Sequence, residues 1–195
     1  MECRHRWKVH CEKFKGKNGG RGADQANSNF VWLNWVPLKV NCFLWKMQQN
    51  RIPVLSNLIQ RGVRVESNLC YICQQEEEEV EHLFFKCRHA MELWQWFIKW
   101  AAIKTIPTSC SSLIEVVNSL KGKRERKLTG TLLYAVVWLL WKDRNEVAFR
   151  KRRVYPMRTA DEVQVISYNW IKGRANCRWI RWYDWCTVPN IDKIM

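Results

Sequence analysis

The spacing of apolar residues predicts a chain that is built from helices. Beyond Pro37, apolar side chains recur at helical intervals and place four residues on one face of a first helix: Val40, Phe43, Leu44 and Met47. A second, short helix is predicted after Pro53, and Gly62 follows it as a left-handed stop. Its inward-facing residues are predicted to be Val54, Leu55, Leu58 and Ile59. These two helices form a hairpin.

Two more helices are predicted after residue 87. The first has an apolar face made of Met91, Trp94, Phe97, Ile98 and Ala101. Ser112 and Glu115 form a capping box for the second, which ends at Gly122. The apolar positions of this second helix are Leu113, Val116, Val117 and Leu120.

The remaining helices lie in the last third of the chain. A long helix is predicted from near Lys127, and a final helix from another capping box, Thr159 with Glu162. The inward residues of the final helix are predicted to be Val163, Ile166 and Trp170. No run of alternating strands is evident, so the predicted fold class is mainly α. The longest apolar stretch, residues 132–141, is about half of the roughly 20 residues that span a bilayer, which predicts a buried helix and no membrane segment.

The net charge of the chain indicates the kind of binding partner rather than the fold. Its 33 Lys and Arg outnumber 18 Asp and Glu, for a formal charge of +15. Such a charge favours a polyanionic partner, and nucleic acid is the first candidate. The candidate contacts lie in two basic runs and are Lys121, Lys123, Arg124, Arg126, Lys127, Arg150, Lys151, Arg152 and Arg153. The alternative for each run is a solvated face without a ligand.

Four residues have metal-ligand spacing: Cys70, Cys73, His82 and Cys87, in the pattern C-x2-C-x8-H-x4-C. Three thiolates and one imidazole complete a tetrahedral zinc shell and leave no position for a catalytic water. The sequence therefore predicts one structural Zn²⁺ ion. His89 is a rival ligand, but a gap of one residue after Cys87 would strain the chelate.

The spacing of the last two ligands constrains the backbone. Residues five apart differ by about 140° on an α-helix, so His82 and Cys87 cannot share one regular helical face. We expect His82 on a short helical turn, then a break, with Cys87 opening the helix of Trp94. The preceding run of five Glu residues would repel phosphate, and Lys86 and Arg88 are placed to offset the negative charge of the thiolates.

Cysteine usage and the first residues of the chain indicate a compartment. Nine cysteines are an odd number, and no apolar signal segment follows the opening MECRHRWKVH. We therefore expect an intracellular protein without a disulfide framework. The N-terminal candidates Cys3, His5, His10 and Cys11 form a poor chelate, since His10 and Cys11 are adjacent, and a solvated tail is the favoured interpretation.

The C-terminal tail alternates tryptophan with arginine. Trp179, Trp182 and Trp185 recur at intervals of three, with Arg178 and Arg181 between them. Such residues stack on bases in some proteins, but large aromatic residues more often serve packing. The favoured interpretation is a strap over the helical core.

The segment from Trp35 to Trp94 resembles the reverse-transcriptase zinc-binding domain of plant LINE-type, non-LTR retrotransposons. The resemblance rests on these landmarks, outside the metal quartet: Trp35, Pro37, Lys39, Phe43, Trp45, Leu58, Arg61, Gly62 and Trp94. The later segment VVWLLWKDRNEVAF is similar to one that often follows in such elements. Residues 1–29 do not match the pattern.

This resemblance implies zinc ligation by the quartet and weakly sequence-specific binding of RNA or DNA. It also implies a location in the nucleus or in a cytoplasmic ribonucleoprotein. The predicted domains are a mobile basic arm at 1–29, the zinc-binding domain at 30–104, and a helical basic extension with the Trp-rich tail at 111–195.

Polymerase chemistry is not predicted for this chain. Reverse transcription needs carboxylates that hold two metal ions, usually an Asp-Asp pair, and the sequence contains no such pair. We expect a non-catalytic fragment or remnant of a polyprotein whose parent is an RNA-directed DNA polymerase. The alternative is a zinc-dependent protein-interaction module with no nucleic-acid role. A module of the cross-brace type needs eight metal ligands, and only one set of four has suitable spacing in this sequence.

Overall fold

Helices dominate the computed structural model, which describes residues 30–103, 105–174 and 180–187. In chain order the elements are α1 (Leu38–Gln48), α2 (Leu55–Gln60), a π-helical turn (His82–Lys86), α3 (Arg88–Ala101), α4 (Cys110–Ser119), α5 (Lys123–Arg150), α6 (Pro156–Arg174) and α7 (Trp182–Thr187). Within those ranges no strand forms, and one isolated antiparallel bridge joins Leu69 to Glu77. The predicted mainly helical fold is confirmed, while the predicted mobile arm lies outside the described residues.

The centre of the fold is α5, which packs against α1, α3, α4, α6 and the π-helical turn. Every residue from Leu128 to Val137 is buried. The sequence predicted a buried helix over residues 132–141, and the structure agrees except at Trp138 and Trp141, which are half-buried. The helix begins at Lys123, four residues before the predicted start. Arg126 anchors its first turn by donating to the carbonyl of Leu120 at 2.7 Å.

Two predicted helix starts are wrong because other residues cap these helices. α4 begins at Cys110, since Ser109 is its N-cap and forms the capping box with Ser112. The Ser112–Glu115 box is thus replaced by one three residues earlier. α6 begins at Pro156, whose ring presets the backbone angle of a first helical residue. Thr159 lies inside that helix and donates to Asp143 Oδ2 at 2.5 Å.

The buried face of α6 also differs from the predicted one. That face consists of Thr159, Ala160, Val163, Ser167 and Ile171. Ile166 and Trp170, which the sequence predicted to point inward, are only half-buried.

Two further apolar positions were assigned to the wrong face. Ile59 and Met91 are each 45% exposed, although both have helical spacing from buried residues. α2 has only six residues, and its buried positions are Leu55 and Asn57. Gly62 adopts φ +78° after this helix, so the predicted left-handed stop is confirmed.

The C-terminal helix closes the core with one tryptophan. Trp185 is buried and donates its indole N–H to the carbonyl of Gln164 at 3.0 Å. Its own carbonyl accepts from the indole of Trp100 at 3.1 Å. The strap interpretation is therefore confirmed for Trp185. Trp182 remains 43% exposed, and Trp179 and Arg178 lie outside the described residues.

Along the described ranges, no helix combines the length and the apolar character needed to cross a bilayer.

Candidate metal centre and basic cleft

Residues 68–87, called the zinc loop below, begin with a tight turn that pairs the first two ligands. The amide of Cys70 donates to the carbonyl of Glu76 at 2.8 Å, and the amide of Glu78 donates to the carbonyl of Asn68 at 2.8 Å. Between these bonds the chain reverses through Gln74, which adopts φ +56° and donates to the carbonyl of Cys70 at 2.9 Å. This reversal places Cys70 and Cys73 side by side.

The second pair of ligands depends on the π-helical turn. Its defining bond runs from the amide of Cys87 to the carbonyl of His82 at 2.7 Å, between residues five apart. A π-turn therefore brings together two residues that an α-helix would separate. Cys87 then leaves helical geometry with ψ 136° and serves as the N-cap of α3. The predicted turn, break and new helix are confirmed.

The four predicted ligands come together in space. Their ligand atoms all lie within 4.8 Å of one another. His82 Nε2 lies 3.2 Å from Cys73 Sγ, against about 3.5 Å between tetrahedral ligands with Zn–S near 2.3 Å and Zn–N near 2.0 Å. Cys70, His82 and Cys87 are buried, and Cys73 is half-buried. This Cys3His set fits a metal ion such as zinc.

A carboxylate orients the histidine of this cluster. His82 Nδ1 lies 2.9 Å from Glu76 Oε2, while Nε2 faces the thiols. A carboxylate on the outer nitrogen fixes the ring orientation and raises the basicity of the ligating nitrogen. This role is not evident from the sequence, because Glu76 stands in a run of similar charged residues.

The thiols interact strongly with one another. A hydrogen bond to Cys87, together with burial, raises the pKa of Cys70. The same bond lowers the pKa of Cys87, because its thiolate is the acceptor, and the backbone amide of His89 acts in the same direction. Zinc binds thiolates, so metal binding releases the protons that these cysteines hold, and zinc affinity is expected to fall as the pH is lowered.

We expect Glu76→Ala to weaken zinc binding about tenfold, the lower end of the range for loss of such a carboxylate. The fold should survive, since the Glu76 side chain is 68% exposed. Competition with a chromophoric chelator measures the change. Glu77→Ala is the matched control, because Glu77 is also exposed but its carboxylate accepts from Asn68. Equal zinc affinity of the two variants would contradict the role of Glu76.

A buried ion pair ties the zinc loop to α5. Glu78 is fully buried, and its Oε1 accepts from Arg144 Nε at 3.0 Å and Nη2 at 2.7 Å. The carboxylate also accepts from the amides of Leu55 at 3.1 Å and Tyr71 at 3.3 Å. The Arg144 guanidinium lies over the rings of Tyr71, 4.8 Å from its centroid, and Trp141, at 5.2 Å. One carboxylate thus joins α2, the zinc loop and α5.

The run of Glu residues is therefore not a uniform acidic surface. Besides buried Glu78, Glu81 accepts from the amide of Cys110 at 3.2 Å and thereby helps cap α4. Glu76, Glu77 and Glu79 are exposed. The predicted repulsion of phosphate thus rests on three exposed carboxylates instead of five.

His89, the rival ligand, has a different partner. Its Nε2 lies 2.8 Å from Asp143 Oδ2, the oxygen to which Thr159 also donates. All three side chains are buried, and together they link α3, α5 and α6. His89 is not in the metal-ligand group, which agrees with its lower rank in the sequence analysis.

Comparison with known proteins identifies the segment that holds this cluster. Residues 5–94 match the family described as zinc-binding in reverse transcriptase, and all four ligands fall within the match. This segment is similar to the zinc-binding domain of reverse transcriptases. No curated protein and no solved structure match the chain. The matched range begins at residue 5, well before Trp35, where the sequence landmarks start.

A cleft of about 780 Å³ lies between residues 55–74, which include the first two metal ligands, and the C-terminal end of α5. Four cationic side chains line it, and Glu66 is the one carboxylate among the described lining residues. The cations are Arg64, Lys151, Arg152 and Arg153. Arg64 is not evident as a candidate from the sequence, because it belongs to no basic run.

The structure separates the two predicted basic runs. They lie at opposite ends of α5, whose 28 residues span about 42 Å. In the first run, Arg126 is bonded to Leu120, and the Lys127 ammonium lies 5.7 Å from the centre of the Trp35 ring. Lys121, Lys123 and Arg124 are exposed.

The second run adjoins the zinc-binding domain. Lys151, Arg152 and Arg153 line the cleft, while Arg150 pairs with Glu146 at 2.7 Å. Glu146 also lies 3.5 Å from Arg152. Of the nine predicted contacts, Lys151, Arg152 and Arg153 line the same cleft as residues of the zinc loop.

Proposed function

We propose that this chain is the nucleic-acid-binding zinc module of a retrotransposon reverse transcriptase of the plant LINE type. One zinc ion would serve a structural role, since four protein ligands complete its shell. The observation that supports nucleic-acid binding best is the basic cleft beside the zinc loop. No catalytic role is proposed, because the chain lacks the aspartate pair of a polymerase palm.

Charge and position both suit this cleft to a phosphate backbone. Its four cations outnumber its single carboxylate, and all four are exposed. Neutralising phosphates releases condensed counterions and supplies affinity without sequence preference. The zinc ion would hold one wall of the cleft in place, through Tyr71 and Ile72 between the first two ligands. The metal then positions the binding surface without contacting the phosphates.

We expect Lys151→Gly to weaken nucleic-acid binding while leaving the fold intact. Lys151 is exposed and ends α5 with φ 53°, a conformation that glycine adopts without a steric penalty. Removal of one phosphate contact should reduce the slope of log affinity against log salt by about 0.7 to 0.9. Fluorescence anisotropy with a labelled oligonucleotide across a salt series measures this slope.

The control is Lys99→Ala, which removes the same charge from α3. Lys99 is exposed, does not line the cleft and is not among the nine candidate contacts. It should leave both affinity and salt slope close to those of the unchanged chain. Equal losses in the two variants would show that only net charge matters, and a flat salt dependence would argue against nucleic-acid binding altogether.

A further inference from the structure

We propose that the basic cleft binds unpaired nucleotides, with bases against Tyr155 and Tyr71 and phosphates on the cationic rim. This inference rests on the proposed function and names the class of nucleic acid, single-stranded RNA or DNA. It is supported by the aromatic and apolar residues that line the same cleft as the cations.

Tyr155 has the properties of a stacking platform. Its side chain is 58% exposed although it is large and aromatic, and it follows Lys151, Arg152 and Arg153 closely in the chain. Its backbone is nevertheless held. Pro156 restricts the preceding residue to extended conformations, and the Tyr155 carbonyl accepts from the amide of Thr159 at 3.1 Å. An ordered backbone with an open ring suits contact with a base, since little freedom is lost on binding.

Tyr71 contributes a second ring from the zinc loop. It lies between the ligands Cys70 and Cys73, it lines the cleft, and it is half-buried. The guanidinium of Arg144 lies 4.8 Å from its ring centroid, and the Tyr71 amide donates to buried Glu78. Ring and backbone are therefore held by the buried ion pair. The two tyrosines belong to different elements, the zinc loop and the segment between α5 and α6.

Most of the remaining lining is apolar, apart from Glu66, Ser67 and Gln74, and a site for phosphate alone would not need apolar walls. The apolar residues are Leu55, Val65, Leu69, Ile72, Val147 and Val154. Apolar walls with a few polar groups are typical of sites that enclose a flat organic ligand, and about 780 Å³ falls within their usual size range. A paired duplex keeps its bases stacked inside and offers mainly its backbone to such a cleft. Unpaired bases can enter it.

The test compares Tyr155→Ala with the unchanged chain on two probes at one salt concentration. The probes are a labelled 20-nucleotide single strand and the blunt duplex of the same sequence. We expect the single strand to bind about tenfold more tightly than the duplex. Tyr155→Ala should remove about tenfold from single-strand affinity and leave duplex affinity unchanged, and Tyr155→Phe should restore binding because it keeps the ring.

Tyr183→Ala is the matched control, since Tyr183 is 77% exposed and does not line the cleft. It should bind both probes like the unchanged chain. Equal affinity for single strand and duplex, or equal behaviour of the two alanine variants, would overturn this inference. In that case normal salt dependence and a loss in Lys151→Gly would still support the proposed function. Absence of binding to both probes would overturn both proposals.

A third probe addresses the other polyanionic surface that attracts aromatic and cationic residues. Vesicles of phosphatidylserine and phosphatidylcholine should not bind the chain more tightly than the single strand does. Vesicle binding that Tyr155→Ala abolishes, without any preference between single strand and duplex, would overturn the inference in favour of a lipid surface.

Discussion

Removal of zinc with a strong chelator should unfold the zinc loop and melt the start of α3. Structural zinc sites contribute an apparent binding free energy of roughly 10 to 16 kcal/mol near neutral pH, as much as the whole net stability of many domains. The turn at residues 70–76 and the π-helical turn each have few backbone bonds of their own, so the metal supplies most of their stability. Far-UV circular dichroism during heating, with and without chelator, measures the loss.

Cys73→Ser should reproduce the effect of the chelator, and native mass spectrometry should count one zinc ion in the unchanged chain. Cys186→Ser is the control, because Cys186 is a half-buried free cysteine outside the metal-ligand group. It should keep the zinc ion and the melting temperature. An unchanged melting curve for Cys73→Ser, or two bound ions, would contradict a single structural site.

Arg144→Met should destabilise the fold by about 3 to 5 kcal/mol, because it leaves the buried Glu78 carboxylate without its cation. The Arg144 side chain is 4% exposed and that of Glu78 is fully buried, so water cannot replace the lost partner. Denaturant unfolding measures the change. The double variant with Glu78→Gln should cost less than the sum of the two single variants, since the two side chains act as one unit.

Arg150→Met provides the comparison on the same helix. Arg150 also pairs with a glutamate, Glu146, at 2.7 Å, but its side chain is 62% exposed. Exposed pairs of this kind contribute less than about 1 kcal/mol. Similar losses for Arg144→Met and Arg150→Met would mean that the buried pair has no special role.

The metal site was predictable because its information is local in the sequence. The ligands lie within 18 positions, and their spacing alone required a helical turn and a break between His82 and Cys87. The orienting carboxylate is also local, only six residues from His82. A charge pattern does not distinguish one glutamate of a run from the next, so Glu76 was not identified.

Contacts between distant segments were not predictable. Glu78 and Arg144 are 66 residues apart, and His89 and Asp143 are 54 apart. A buried glutamate has no signature in a run that looks solvated, and only the packing of α5 against the zinc loop gives it a partner. Nor could spacing show which basic run would adjoin the metal site, since the two runs lie at the two ends of one helix.

The predicted helix starts were wrong for a reason that is local in the sequence. Ser109 and Ser112 both qualify as caps, and hydroxyl-containing residues followed by acids are common enough to offer competing starts. In α6 the buried residues follow Val163 at intervals of four, through Ser167 and Ile171. Ser167 is polar and hid this spacing, so Ile166 and Trp170 were assigned to the inner face although they are half-buried.

Because α5 lies at the centre of the fold, the family match and the packed core end at different residues. The match to the family ends at Trp94, whereas Arg144, which holds the zinc loop, and Trp185, which covers Trp100, come from beyond that point. The stretch that matches the family is therefore shorter than the stretch whose side chains hold the zinc loop and the core in place. Removing the residues beyond Trp94 would leave the buried Glu78 carboxylate without its cation, and removing α7 alone would leave the indole of Trp100 without its acceptor.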